Sequence, residues 1–392
     1  MLDQVAQIIL LLAAVQSLFL TLVFFRRYRQ LYANRFLIGL LLAAAAILAN
    51  LYWAETHSMY RNSGLNIMLI GGSLLIGPLQ YLYTIFLLEP LRRFHRKDWL
   101  HWLPLLLYFF LTLPVLFLSF TELELAQVQH SYKGIPWRFV IFDWLLTLVN
   151  LSYSLAALWR LRRFQQGLPH MVSSLEKIRL QWLYYLSWLS VVAWIIFAVE
   201  NVIFIISALP GYGFVVSSSL SGVFIYLLGY WGLMKSDWLQ QPNVTKSMQE
   251  LSDAEKASLS STTEQIEQRY QKSGLSPDRA RQIHRDLIAL MENEKPFLDS
   301  DLTLAGMAEK LSVSTHNLSE VLNTQVGLTF FDFINQYRID EVKKQLLDPN
   351  KMEAKILAIA FDAGFSSKTS FNTLFKKHTG STPSDFRDKK PH

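Results

Sequence analysis

Near the C-terminal end, short polar and basic side chains gather on two segments. The first carries His316, Asn317, Glu320 and Asn323; the second carries Lys368, Thr369, Asn372, Thr373, Lys376 and Lys377. Amides, hydroxyls and ammonium groups set out in this way read base edges and phosphates in a DNA groove; they do not break bonds. No nucleophile–base pair, phosphate loop or metal-ligand spacing accompanies them, so no catalytic residue, metal or cofactor is expected. The chain has no cysteine, which removes disulfides, thiolate zinc sites and cysteine nucleophiles. His57, His95, His101, His130 and His170 fall in loops or at the ends of apolar stretches, without ligand spacing.

The elements that must hold these residues come in two copies. Residues 303–333 nearly repeat at 355–386. Met307-Ala308 answers Ile359-Ala360, and Ser314 answers Ser366. One residue of offset later, Leu318, Leu322, Gly327, Thr329 and Phe333 answer Phe371, Phe375, Gly380, Thr382 and Phe386. Each copy has the mechanics of a helix-turn-helix. Leu304, Met307, Ala308 and Leu311 form the apolar stripe of a scaffold helix behind Thr303 as N-cap. Ser312-Val313-Ser314 makes the turn, and Leu318, Val321 and Leu322 turn the next helix inward until Gly327 caps it. In the second copy Ile356, Ile359 and Ala360 form the stripe, Gly364-Phe365 the turn, and Phe371, Leu374 and Phe375 the inward face. Residues 330–347 read as a helix joining the copies.

Taken with Leu302-Thr303-Leu304, Leu318-Ser319, Arg338, Phe375-Lys376-Lys377 and Thr382-Pro383-Ser384, these residues resemble the DNA-binding domain of the AraC/XylS family of bacterial transcription regulators. The resemblance runs from about Leu302 to Arg387. It implies two helix-turn-helix units, each placing one helix in successive major-groove segments of double-stranded promoter DNA. It also implies activation, with RNA polymerase as a further partner. The family often has arginine at the outward positions held here by Glu320 and Thr373. Glu320 is repelled by phosphate but can accept from a cytosine amino group. The second copy, with Lys368, Lys376 and Lys377, is therefore expected to supply most of the phosphate binding. Soluble members pair this domain with a cupin-like ligand-binding domain, whereas here, as in membrane-bound members, apolar stretches take that place.

Seven such stretches are long enough to span a bilayer: 5–25, 36–54, 65–88, 99–120, 137–159, 181–207 and 213–234. The net charge of +6 comes from the loops between them, not from the DNA-reading end. Arg26, Arg27, Arg29 and Arg35 lie in the first loop, Arg92, Arg93, Arg96 and Lys97 in the third, and Arg160, Arg162, Arg163, Lys177 and Arg179 in the fifth. Alternate loops hold only Arg61 with Glu55, Lys133 with Glu122 and Glu124, and nothing charged near Pro210. By the positive-inside rule the N-terminus lies outside and everything after Met234 is cytoplasmic, as in a multi-pass protein of the bacterial inner membrane.

Ionisable groups inside such stretches need a reason. Asp143 and Glu200 each fall roughly 10 Å from the outer end of a helix rising about 1.5 Å per residue. With Asn201 they are candidates for an outward pocket that takes a cationic or hydroxylated ligand, or protons. Hydrogen bonding between helices is the other reading, and both stay open. The Gly77-Pro78 step is expected to kink the third stretch. No lysine precedes Lys235 in the seventh, which excludes a buried retinal Schiff base there.

The expected fold is all-α: a seven-helix transmembrane bundle followed by a cytoplasmic helical domain with two helix-turn-helix units. Its parts are a membrane sensor over 1–235, a polar linker over 236–284 with a helical piece at 264–272, and the DNA reader over 285–392. The helix opened by Ser276-Pro277 carries Ile283, Leu287, Leu290 and Met291 on one stripe. Packing within the reader, docking and contact with a second copy in a homodimer all remain open for it. The whole reads as a regulator that couples a small ligand or a membrane state, in contact with lipid, to promoter binding. The alternative is a transporter or channel whose DNA-binding domain controls its own gene.

Overall fold

The computed structural model describes residues 2–28, 31–56, 64–113, 131–132, 135–174, 180–207, 215–239 and 275–388. Outside this set lie 114–120 of the fourth apolar stretch, residues 213–214 of the seventh, 240–274 of the linker with its helical piece, and several charged loop residues. Those residues are Arg29, Arg61, Glu122, Glu124, Lys133, Lys177 and Arg179. Apart from a two-residue antiparallel hairpin, Ser131–Tyr132 with Ile135–Pro136, the described elements are helices. The chain divides into two units, one of residues 1–162 with 180–245, the other of residues 163–179 with 246–392.

In the first unit α1 is Leu2–Val23, α2 Tyr32–Thr56, α3 Gly64–Ile70, α4 Ile76–Leu88, α5 Leu103–Thr112, α6 Trp137–Gly167, α7 Gln181–Ser207 and α8 Val215–Leu239. Five helical stretches are long and apolar enough to cross a membrane: Gln7–Arg26, Tyr32–Trp53, Met68–Leu88, Ile141–His170 and Gln181–Ile203. Gly222–Met234 is apolar but shorter. Small residues let these helices meet. Ala13 and Ala14 of α1 and Ala33, Ala44 and Ala45 of α2 are buried. A Cβ at Gly229 of α8 would stand 2.1 Å from Leu20 Cδ1. Such approach matters where lipid tails are as apolar as leucine and only packing and hydrogen bonds hold helices together.

The third apolar stretch is interrupted just before the Gly77-Pro78 step. A 3₁₀ turn over Gly71–Leu75 separates α3 from α4. Pro78 lacks the N–H that would bond the Leu74 carbonyl, and its ring crowds that same carbonyl. Asn150 of α6 covers the break: its Oδ1 accepts from Gly77 N–H at 2.6 Å, and its Nδ2 donates to the Ser73 carbonyl at 3.2 Å. At the C-terminal end of α4, Glu89 pairs with Arg160 of α6 at 2.8 Å.

In the second unit α9 is Pro277–Asn293, α10 Leu304–Lys310, α11 Thr315–Val321, α12 Phe330–Leu347, α13 Ile356–Asp362, α14 Lys368–Thr379 and α15 Pro383–Asp388. Two cores form. The first joins Ile283, Leu287 and Met291 of α9 to Met307, Ala308, Leu318, Val321 and Leu322. The second joins Ile359, Ala360, Phe365, Phe371, Leu374 and Phe375. Helix α12 serves both: Phe330, Phe333 and Ile334 enter the first, and Ile339, Val342 and Leu346 the second. The apolar stripe of α9 is thus spent inside the unit.

Gly364 makes the tightest joint. Its φ is +93°, and a Cβ there would sit 2.3 Å from the Phe297 carbonyl oxygen. We expect Gly364→Ala to lower the unfolding free energy by more than about 2 kcal/mol, because both backbone conformation and contact are violated. Hydrogen exchange over α13 and α14 would check this; unchanged protection would show that the joint has slack.

Candidate nucleic-acid interface

The first helical pair is α10 and α11. Thr303 Oγ1 accepts from Gly306 N–H at 3.1 Å, and Ser314 Oγ accepts from Asn317 N–H at 3.1 Å. Both helices therefore start on a hydroxyl cap. Between them Ser312 takes φ +53°, the left-handed position that Gly364 fills in the second pair. A π turn over Leu322–Val326 extends α11, and Gly327 closes it at φ +73°. His316 and Asn323 are exposed, and Asn317 is half-buried. Glu320 is tucked in: its side chain is 14% exposed and lies 3.9 Å from His316 Nε2. Thr315, Thr324 and Gln325 are also exposed beside this face; the last two lie in the π turn, which a regular helical period does not foresee.

In the second pair, α13 and α14, the cap is Ser367, whose Oγ accepts from Ser370 N–H at 3.2 Å. This cap one position after Ser366 accounts for the one-residue offset between the repeats. Rings fill the inward face: Phe365 lies 5.3 Å from Phe371, Phe371 5.6 Å from Phe375, and Phe375 5.5 Å from Phe386. With that side occupied, Lys368, Thr369, Asn372, Thr373, Lys376 and Lys377 are all exposed, and the first five make one continuous stripe. Lys377 is drawn aside toward Asp332 of α12, at 3.6 Å. Lys376 carries no such tie to an acid among the described residues.

Between the pairs, Arg338 of α12 is 1% exposed. Its Nε donates to the Phe297 carbonyl at 2.7 Å and its Nη2 to the Asp299 carbonyl at 2.7 Å. Burial pushes the guanidinium down to about 10, with Asp299 and Asp301 acting the other way, so it stays charged at neutral pH. The sequence showed Arg338 only as part of a motif; its spacing after the buried Ile334 and Asn335 was the signal that it points inward.

This arrangement, two capped helix pairs with polar outer faces on a shared central helix, defines a DNA-binding helix-turn-helix domain. The family model "Helix-turn-helix domain" matches residues 307–389. The C-terminal region is of the AraC type. Over 94 residues, 24% of this chain and 43% of the relative, it is 36% identical to "Bifunctional transcriptional activator/DNA repair enzyme AdaA" of Bacillus subtilis (strain 168). The "Arabinose operon regulatory protein" of Escherichia coli (strain K12) is 32% identical over 89 residues, 23% of this chain and 30% of that protein. An uncharacterised HTH-type transcriptional regulator of Staphylococcus aureus (strain COL) is 35% identical over 91 residues, 23% of this chain and 12% of its own length. The chain thus spans less than half the length of these curated relatives. Among solved structures, the C-terminal domain of AraT, a response regulator from Geobacillus stearothermophilus, matches with TM-score 0.25 and 30% identity, covering 30% of this chain and 90% of that one.

The first unit holds a cavity of about 280 Å³. Its wall is mostly apolar, with Trp194, Phe197 and Phe224, and its polar members are Asn50, Ser73, Asp143 and Ser190. Asn50 Nδ2 donates to Asn66, Ser73 Oγ to the Ile70 carbonyl, and Ser190 Oγ to Gln80. Glu200 and Asn201 are not in this wall; Asn201 Nδ2 donates to the Phe197 carbonyl of its own helix at 3.0 Å.

Lys376→Ala is expected to lower affinity for duplex DNA and to reduce the salt slope of log K by about 1, the signature of one lost phosphate contact. Lys377→Ala, already tied to Asp332, should change the slope less. Filter binding across a salt series checks the order, and a slope unmoved by Lys376→Ala would remove it from the interface.

Proposed function

We propose that the chain is a membrane-integral one-component transcription regulator, an activator, that couples a signal met in the membrane half to sequence-specific binding of promoter DNA. One observation carries this reading: a single chain joins an AraC-type helix-turn-helix domain to five helices long and apolar enough to span a bilayer. Both helical pairs act as helix-turn-helix units, reading with His316, Asn317, Glu320 and Asn323 in the first and with the lysine-bearing stripe in the second. The apolar stretches form seven spans, and the reader faces the cytoplasm. The outer surface of α1 supports a lipid-facing role, since Leu12, Phe19 and Leu22 are each about three-fifths exposed. Glu89 paired with Arg160, at the basic ends of α4 and α6, supports that orientation.

The cavity is the proposed ligand site. Among the described residues Asp143 is the one ionisable group in its wall, which favours a mostly apolar ligand bearing an ammonium or hydroxyl. Glu200 and Asn201 then act between helices or near the outer end of α7 instead. A ligand shifts the reader only by its difference in affinity for two arrangements of the bundle. The transporter reading has less support: transport favours internal repeats and several midplane ionisable groups.

Chromosomal crosslinking of the membrane-retained protein should yield discrete sites that vanish on replacing Lys376 and Lys377 together with alanine. A uniform signal under every growth condition would overturn the regulator reading. Once a target promoter is known, Asp143→Asn should weaken its response to inducer about tenfold or more, the order expected for loss of a buried charged partner; an unchanged dose-response removes Asp143 from the ligand site.

A further inference from the structure

Residues 163–179 connect α6 to α7 in the chain, yet they belong to the same compact unit as the DNA-binding domain. Leu168–His170 forms a 3₁₀ turn against α12, and Leu168, Val172 and Ser173 are 1%, 2% and 1% exposed. Val172 forms an antiparallel bridge with Thr303, the residue that caps α10. Leu304 N–H donates to the Met171 carbonyl at 2.9 Å, and Ser173 N–H donates to the Leu302 carbonyl at 3.2 Å.

Ser173 uses every polar atom it has. Its hydroxyl donates to the Leu302 carbonyl at 2.7 Å and accepts from Arg338 Nη2 at 3.0 Å. Its carbonyl accepts from Arg338 Nη1 at 3.0 Å and from Asn335 Nδ2 at 3.1 Å. One residue on, the Ser174 hydroxyl meets the hydroxyl of Ser366, in the turn before α14. A segment of seven residues therefore touches the start of the first helical pair, the central helix and the turn of the second pair. A surface loop that merely lay nearby would leave a serine solvated; here its backbone and side chain complete a buried guanidinium's bonding.

We propose that residues 168–174 are a strap, the reader's built-in partner, which fixes the placement of the two helical pairs and is the point where the signal enters. This rests on the regulator reading above. The strap is continuous in sequence with α6, which carries Asp143, and with α7, which carries Ser190, Trp194 and Phe197; all four line the cavity. A ligand that shifts these helices shifts the strap's ends. The reader then changes the spacing of its two DNA-contacting helices without unfolding either.

The chain's lack of cysteine allows a clean test in the full-length protein in lipid nanodiscs. The bonds on either side of Val172 and Thr303 mark them as a narrow antiparallel pair, with side chains at a separation that suits a disulfide. Val172→Cys with Thr303→Cys should link within one chain on oxidation, while neither single variant does. In a second variant, residues 170–174 become Gly-Ser-Gly-Ser-Gly. The DNA probe is the duplex that the unaltered protein selects from a random-sequence pool. The oxidised double variant should bind it within about threefold of its reduced form, and the strap-replaced protein at least tenfold more weakly, within the usual range of coupling between sites.

Failure of the two cysteines to link would overturn the strap outright, even if the replaced protein misfolds. Linkage with undiminished DNA affinity in the replaced protein would show a docked segment without control, and would overturn the proposal too. If the unaltered protein selects no duplex, the regulator reading fails and takes the strap's role with it, while the linkage result still reports the docking.

Discussion

A guanidinium that is 1% exposed must find partners for its N–H groups inside the protein, and most of the DNA-binding unit is arranged around that demand. Arg338 stands at the middle of α12, where the first core ends and the second begins. Its partners are carbonyls of Phe297, Asp299 and Ser173 and the hydroxyl of Ser173, drawn from two distant stretches of chain. None is a carboxylate, so neutral oxygens take its hydrogen bonds while Asp299 and Asp301 favour its charge from further off. Each such hydrogen bond to a charged group is worth about 1.5–3 kcal/mol, because its loss leaves the buried charge short of a partner. Gly364 closes the assembly from the opposite side: its missing side chain leaves the Phe297 carbonyl within reach of both the turn and the arginine. Two helical pairs with separate cores are thereby held as one body.

The pairs are alike in mechanics and unlike in surface. Each has a hydroxyl cap, a left-handed turn residue and a glycine C-cap. The first presents a histidine, amides and a half-hidden glutamate; the second presents lysines. Ammonium groups suit attachment to a phosphate backbone, and amides suit base edges, so under the proposed function affinity and selectivity would reside in different halves of one domain. The ion pair of Lys377 with Asp332 gives part of that attachment a competing partner on the central helix.

Much of this was legible in the sequence. The repeat, the caps at Thr303 and Ser314, the inward rows of leucine and phenylalanine and the outward stripe of α14 all follow from helical periodicity and turn chemistry. The π turn after Val321 was not legible, since nothing in Leu322–Val326 departs from helical composition. Glu320 was read as outward, whereas its carboxylate folds back toward His316. The cavity wall takes in Asp143 but not Glu200 or Asn201, because depth along a helix fixes height and says nothing of azimuth. The place of Ser173 was hidden for a different reason. A serine in a basic loop looks like any solvated serine, and its partner lies 165 residues further on.

The strap has a consequence for what a protease can achieve. A cut between Leu239 and Pro277 severs the chain between the apolar helices and α9. Here a fragment beginning at residue 246 would lack Ser173. Without the segment that carries Ser173, Arg338 loses two of its hydrogen bonds, and α10 loses the strand neighbour at its first turn. Liberation and integrity would then be opposed: a cut that parts the reader from the apolar helices also parts Arg338 from Ser173.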